Sequence, residues 1–251
     1  MPREATTKYF SGQGIVYLDD GTGLVDVGNV AELKLSFETQ VLEHKESRTG
    51  NRLIDMRMGT DKSCTASITL DSFDPETLKK AMYATITNSD AGTGVAESIT
   101  AKLGKVIPLS KIKLASLVIK DDADTITYEL DKNYTVNLEA GSVYIMTAAE
   151  QTAAGAANSI AESDVLHCVY NHAAQSKVDA FKGAEAEYIL RFEGLNTADG
   201  NDPVVVTIPR FRPTPLKDLS LITGELNSFV MEGAALAVTS TGEFVTIQML
   251  Q

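Results

Sequence analysis

The stretch ELKLSFETQVLEHKESRTGNRLIDMRMGTDKSCTASITL, residues 32–70, holds two strand-like runs separated by some twenty mostly polar residues. In the first run Leu33, Leu35 and Phe37 point one way while Glu32, Lys34, Ser36 and Glu38 point the other. In the second, Cys64, Ala66, Ile68 and Leu70 oppose Thr65, Ser67 and Thr69. A period of two sends successive side chains to opposite faces, so each run reads as a half-buried strand with one wet face. The connection is far longer than a hairpin turn requires, which gives the span from Glu43 to Met58 a task other than reversing the chain.

Working outward, the same alternation recurs at GIVYL (14–18), ASLVIK (115–120), TITYEL (125–130), YTVNL (134–138), SVYIM (142–146), VLHCVY (165–170), AEYILRFEGL (186–195), PVVVTIP (203–209), FVMEGAALAV (229–238) and EFVTIQML (243–250). Turn signals such as DDGTG, DDAD, LEAG and NTADGND separate these runs. The pattern predicts an all-β chain of ten or more strands. One short helix stands out in SFDPETLKKAMYATI (72–86): Asp74 suits the N-cap, Pro75 the first helical position and Glu76 the positive end of the helix dipole. Phe73 is expected to pack on Leu78 as a hydrophobic staple, and Leu78, Ala81 and Met82 form the apolar stripe that lies on a sheet. AGTGVAES (91–98) reads as a flexible connection and TAAEQTAAGAANSIAES (147–163) as a second small-residue stretch, which makes them the expected internal boundaries.

A chain of 251 residues, 43% of them hydrophobic, buries roughly 70–75% of its unfolded surface, enough for one large domain or two small ones. Without an apolar run of about 18 residues or a secretory leader, neither a membrane span nor export is expected. Cys64 and Cys168 sit in apolar strand contexts and read as small core residues. The net charge of −12 is regional: residues 121–202 carry fifteen acidic against four basic side chains. Just upstream, Lys102, Lys105, Lys111, Lys113 and Lys120 stand in a stretch with no acid. Opposite patches of this kind steer association, whereas a surface this acidic is a poor partner for nucleic acid.

The common catalytic constellations are missing, and the chain is not expected to be an enzyme. In HCVYNH, a strand turns His167 and Cys168 to opposite faces, so they cannot share a tetrahedral ion with His172, and no metal is expected. His44 has Glu43, Glu46, Ser47 and Asp55 nearby in sequence, but the Gly-X-Ser-X-Gly elbow is absent. The glycine pairs at 12–14, 21–23 and 92–94 lack the Lys-Ser/Thr ending and following helix of a phosphate loop, and DDAD lacks the EF-hand spacing. No cofactor is expected.

In order and pattern the chain resembles the major tail protein, or tail tube protein, of long-tailed bacteriophages of the siphophage type. The resemblance rests on YFSGQGIVYL (9–18), on VDVGNVAELKLSFETQVLEHKESRTGNRLIDMRMGTDKSCTASITLDSFDPETLKKAMYATI (25–86), on YELDKNYTVNLEAGSVYIM (128–146) and on the segment from Ala186 to Leu236. It implies a β-sandwich or barrel fold with a long hairpin and an inserted β-rich segment. Residues 1–112 and 186–251 would form the tube core, with a helix near 75–85, and 113–185 an elaboration outside the tube or between subunits.

The same resemblance implies a structural virion protein, made in the host bacterial cytoplasm, that assembles as stacked, usually hexameric rings through which the genome passes. Its partners would be copies of itself, the tape measure protein, the tail tip and the tail terminator, with DNA passing unbound and no membrane involved. His44, Lys45, Glu46, Ser47, Arg48, Thr49, Gly50, Asn51 and Arg52 would contact the adjacent ring. Glu32, Lys34, Ser36, Glu38, Thr65, Ser67 and Thr69 would face the lumen, with Lys34 paired to Glu32 or Glu38. Lys102, Lys105, Lys111 and Lys113 are the candidate subunit contact. The arm MPREATTKYF is too poor in apolar residues to pack alone and is expected to dock on a neighbour. The competing readings are the inner tube of a contractile tail and, from another class, a monomeric Ig-like binding module; the lack of Trp and the 6% aromatic content argue against the latter.

Overall fold

The computed structural model describes residues 9–48, 50–198, 200–224 and 226–250. The N-terminal arm before Tyr9, and Thr49 of the candidate contact loop, lie outside the described residues. The chain divides into two compact units, residues 1–86 with 178–251, and residues 87–177.

The first unit opens with β1 (Gly12–Asp19), β2 (Leu24–Asp26), β3 (Val30–Lys45) and β4 (Ile54–Leu70), followed by α1 (Pro75–Met82). β5 (Thr85–Ser89) leads out of it. The second unit contains β6 (Gly92–Thr100), β7 (Lys105–Pro108), β8 (Leu114–Asp121), β9 (Tyr134–Asn137), β10 (Ser142–Ile145), α2 (Ala148–Ala153) and β11 (Val165–His172). β12 (Gln175–Asp179) leads back and pairs with β5. β13 (Tyr188–Asn196), β14 (Asp202–Pro213), β15 (Phe229–Ala235) and β16 (Thr246–Met249) complete the first unit. The all-β expectation with a short flanking helix holds.

In the first unit one sheet runs β2-β1-β13-β14-β15-β4-β3, with β16 on the free part of β14. Val16, Leu18, Ile68, Leu70, Leu190, Ile208, Phe211 and Met231, drawn from five of these strands, meet in one core, so the sheet wraps around it. Helix α1 closes the core with Leu78 and Ala81. Asp74 accepts hydrogen bonds from the backbone N–H groups of Glu76 and Thr77 at 3.0 Å, as its N-cap position predicts. Tyr83 ends the helix in the left-handed region at φ 47°. The contact shown for Phe73 is a perpendicular one with the Phe229 ring, centroids 6.5 Å apart, and Phe73 stays largely exposed. β1 and β13 approach so closely that a Cβ on Gly14 would lie 2.2 Å from the Glu193 carbonyl oxygen.

The second unit stacks sheet β6-β11-β8 and sheet β7-β10-β9 around Ile119, Tyr134, Val143, Ile145, Leu166, Cys168 and Tyr170. Its boundaries differ from the expected 113–185. β6 and β7 pair with β11 and β10, so the unit begins at 87, and it ends at 177. The stretch 91–98, read as a flexible connection, is mostly β6. Its alternation is masked because Glu97 occupies the inward position between Val95 and Ile99, where its carboxylate accepts the Ser110 N–H at 3.1 Å. TITYEL, in contrast, is not a strand: Asp121 takes the Ile126 N–H at 2.6 Å and the Thr125 hydroxyl at 2.8 Å, which folds the chain into a turn. The alanine-rich stretch is interior to the unit, and its first part is α2. Thr147 and Glu150 form a reciprocal capping box there.

Candidate assembly surface

β3 and β4 pair antiparallel from Val30↔Leu70 out to Lys45↔Ile54, with register shifts between Val30 and Glu32, between Thr39 and Val41 and between His44 and Lys45. The two runs are therefore strands of 16 and 17 residues, and the connection expected over Glu43 to Met58 shrinks to residues 46–53. The polar span is mostly ladder: Met56 and Met58 pair with His44 and Leu42 on one face, and Arg57 pairs with Glu43 on the other. At the tip the Glu46 N–H donates to the Leu53 carbonyl at 2.8 Å. The register slips at Asp55, whose carboxylate lies 2.6 Å from His44 Nδ1. His44 and Lys45, placed in the candidate contact loop by the sequence, are the last residues of β3. Glu46, Ser47, Arg48, Gly50, Asn51 and Arg52 form the turn itself, with the Arg48 N–H on the Glu46 carboxylate at 2.7 Å.

The base of this hairpin rests on the core, and its outer half does not. Leu33 and Leu35 are half-buried, and Cys64, Ala66, Ile68 and Leu70 are buried, but from Phe37 outward on β3 and below Cys64 on β4 every described residue is exposed. At about 3.3 Å per residue the unsupported ribbon is roughly 25 Å long. It carries Phe37, Val41, Leu42, Leu53, Ile54, Met56 and Met58, each at least 39% exposed. An isolated two-stranded ribbon is marginal in water, and an uncovered edge strand is a template for pairing. β3 is such an edge, because its pairing partner in the sheet is β4 alone.

The sequence singled out the wet face of the hairpin, and the register assembles it. Glu32 lies opposite Thr69, Lys34 opposite Ser67 and Ser36 opposite Thr65. Val230, Glu232 and Ala234 of β15 continue the rows across β4. Glu232 accepts from Lys217 Nζ at 2.6 Å, and that contact raises the lysine's pKa. Among the described residues Lys34 makes no ion pair, so the expected pairing with Glu32 or Glu38 is absent. Residues two apart along a strand share a face but stand nearly 7 Å apart, while the cross-strand partner of Lys34 is a serine. Farther out the same face changes character: Leu42 pairs with Met58 and His44 with Met56, an apolar tip on a polar ribbon. Sequence reading missed this tip, because it treated 43–58 as a connection; the two-residue spacing of Met56 and Met58 was the available signal.

The four candidate lysines part company. Lys113 Nζ binds the Glu139 carboxylate at 2.6 Å and Lys111 Nζ donates to the Ser89 hydroxyl at 2.6 Å, so both are engaged within the second unit. Lys102 and Lys105 are exposed, in the turn before β7 and at its start. The acidic stretch 121–202 likewise spans both units instead of marking the insertion, and bases outside the stretch balance part of it. Arg210 pairs with Glu187 at 2.9 Å and holds its carboxyl below the usual range, and Arg212 pairs with Glu185.

Nothing resembling a reaction centre forms around the histidines. His167 has Asp122 3.6 Å from Nε2 and Asp124 3.5 Å from Nδ1. The two carboxylates therefore sit on opposite ring edges and cannot join it on one ion. His172 is buried, with Nδ1 2.8 Å from the Ala173 carbonyl oxygen. No group of three or more potential ligands gathers among the described residues. Both cysteines are free and buried, and burial pushes the Cys168 thiol up to about 12. No helix among the described residues is long and apolar enough to cross a membrane.

The architecture is that of an all-β chain with a long hairpin whose outer half carries exposed apolar residues. Comparison with known sequences places it further: the chain belongs to the family described as "Protein of unknown function UCP028589", whose model matches residues 9–248. No curated protein matches the chain.

Proposed function

We propose that this chain is a structural subunit that assembles into stacked rings, the tube of a long-tailed bacteriophage, and that it acts through its surfaces and not through catalysis. The observation that carries the reading is the β3–β4 hairpin, whose outer half lacks packing from its own chain yet holds seven exposed apolar residues beside the open edge of β3. A ring consumes every such edge, because each copy's edge becomes the next copy's partner. The polar rows at the hairpin base, Glu32–Thr69, Lys34–Ser67 and Ser36–Thr65, suit a wet lumen in which carboxylates and hydroxyls give phosphates little to hold. The apolar tip and the turn after Lys45 suit the contact with the adjacent ring.

The test is electron microscopy of the purified protein over a concentration series, with light scattering on the same samples. Rings or hollow filaments are the expected result, and deletion of His44 to Arg52 is expected to leave rings that do not stack. A monomer at all concentrations, also in the presence of purified tail tips, would refute the reading.

A further inference from the structure

The regular part of β3 has one free side. From Glu32 to Thr39 it pairs residue for residue with Thr69 to Lys62 of β4, and register shifts bound this run at both ends. Among the described residues β4 is its one strand partner, so the other side of the run is an open edge. Bulges and prolines are common means of blunting such an edge, and the run ELKLSFET contains neither.

The charges along this edge are complementary to themselves. Lys34 and Glu38 are exposed on the wet face, on either side of Ser36, and neither makes an ion pair among the described residues. Opposite residues of an antiparallel pair share a face, and each step forward on one strand is a step back on the other. With Ser36 on a two-fold axis between two copies of β3, Lys34 of each copy therefore opposes Glu38 of the other. On the inner face Leu35 opposes Phe37, whose side chain is 60% exposed in one copy. Moving the axis to Leu35 sets Glu32 against Glu38, and moving it to Phe37 sets Lys34 against Gln40. An axis between two residues would put the inner face of one copy on the wet side of the other. Cross-strand opposite charges stabilise a pair and like charges destabilise it, so the edge specifies the register centred on Ser36.

We infer that β3 of one copy pairs antiparallel with β3 of a second copy about Ser36, through two Lys34–Glu38 pairs, and that this dimer is the reserve from which rings are drawn. The partner is a second copy because the edge carries both halves of the charge pattern, with the lysine and the glutamate equally far from the axis. A two-fold contact uses the same patch on both copies and stops at two. It occupies the edge that a ring needs, so a subunit held in the dimer cannot join a ring until the pair opens. The pairing itself stands on the edge and its charges, whereas its role as a reserve rests on the reading of the chain as a tube subunit.

The test uses the full chain. Ser36→Cys places a thiol on the axis, and a short bis-maleimide is expected to link it to its own counterpart as a covalent dimer and nothing larger; the native cysteines are buried and give little background. Glu32→Cys and Gln40→Cys are expected to link to each other when mixed, and neither to itself. In sedimentation, Lys34→Glu and Glu38→Lys are each expected to weaken the dimer by about tenfold, since each turns two attractive pairs into repulsive ones. The two substitutions in one chain are expected to restore it. All these positions are exposed, so the guanidinium midpoint of each variant is expected to match the wild type. Absence of the Ser36→Cys dimer, or a double charge variant as weak as the single ones, would overturn the inference. Dimers of this register that never yield rings or tubes, even with purified tail tips, would leave the pairing standing and remove the tube, and tubes from a chain that never forms this dimer would do the reverse.

Discussion

Leu42 and Met58 face each other near the tip of the hairpin and are 53% and 50% exposed, so in the proposed assembly about half of each side chain is left for a neighbouring copy to cover. Full burial of a Leu or Met side chain is worth about 1.5–3 kcal/mol, so covering the remaining half of both contributes about 2 kcal/mol to each contact. Leu42→Asp with Met58→Thr removes that gain and leaves a carboxylate unpaired in a dry contact, which costs about 2 kcal/mol more. The sum of about 4 kcal/mol corresponds to a dissociation constant raised by roughly a thousandfold. The isolated subunit is expected to be unaffected within about 0.5 kcal/mol, because neither residue packs on the core. Light scattering over a dilution series measures the association, and a guanidinium titration of the dilute monomer measures the stability. Assembly at the wild-type concentration would refute burial of the tip in the assembly. A monomer destabilised by 2 kcal/mol or more would show instead that the tip packs on its own chain.

Three further substitutions test the fold. Asp74→Ala removes the cap of α1 and is expected to cost about 1 kcal/mol, read as a lower guanidinium midpoint at unchanged slope. Gln151 is fully buried, accepts from the Ile160 N–H at 2.8 Å and from Asn133 Nδ2 at 3.0 Å, and donates to the Met146 and Ile160 carbonyls. Gln151→Leu strands these groups, so a loss of about 3–6 kcal/mol is expected, with hydrogen exchange rising first in residues 87–177. Cys64 and Cys168 are expected to resist alkylation in the folded chain and to react fully in denaturant. Because the folded Cys168 thiol holds its proton up to about 12, stability is expected to fall as pH rises past the ordinary thiol range, where only the unfolded chain ionises. A Cys168→Ala variant that keeps the same alkaline decline would assign it to other groups.

Much of the architecture was written locally. Alternation over 32–38 and 64–70 identified both strands and their inner faces, and the cap residues located α1, because these signals depend on neighbours two to four positions apart. The wet face of the hairpin was legible for the same reason, since Glu32, Lys34, Ser36, Thr65, Ser67 and Thr69 each hold the outward position of their own run. What the tertiary structure alone decided depends on partners far away in the chain. β6 hides its period behind Glu97, which is inward only because Ser110 is there to satisfy it. TITYEL has the composition of a strand, but the Asp121 side chain captures its backbone first. The 43–58 span is polar by composition, yet it is a ladder because β3 and β4 pair far past the core. No local motif specifies where packing on that core ends, and it is this limit, at Phe37 and Cys64, that turns one long hairpin into a supported base and an exposed apolar tip.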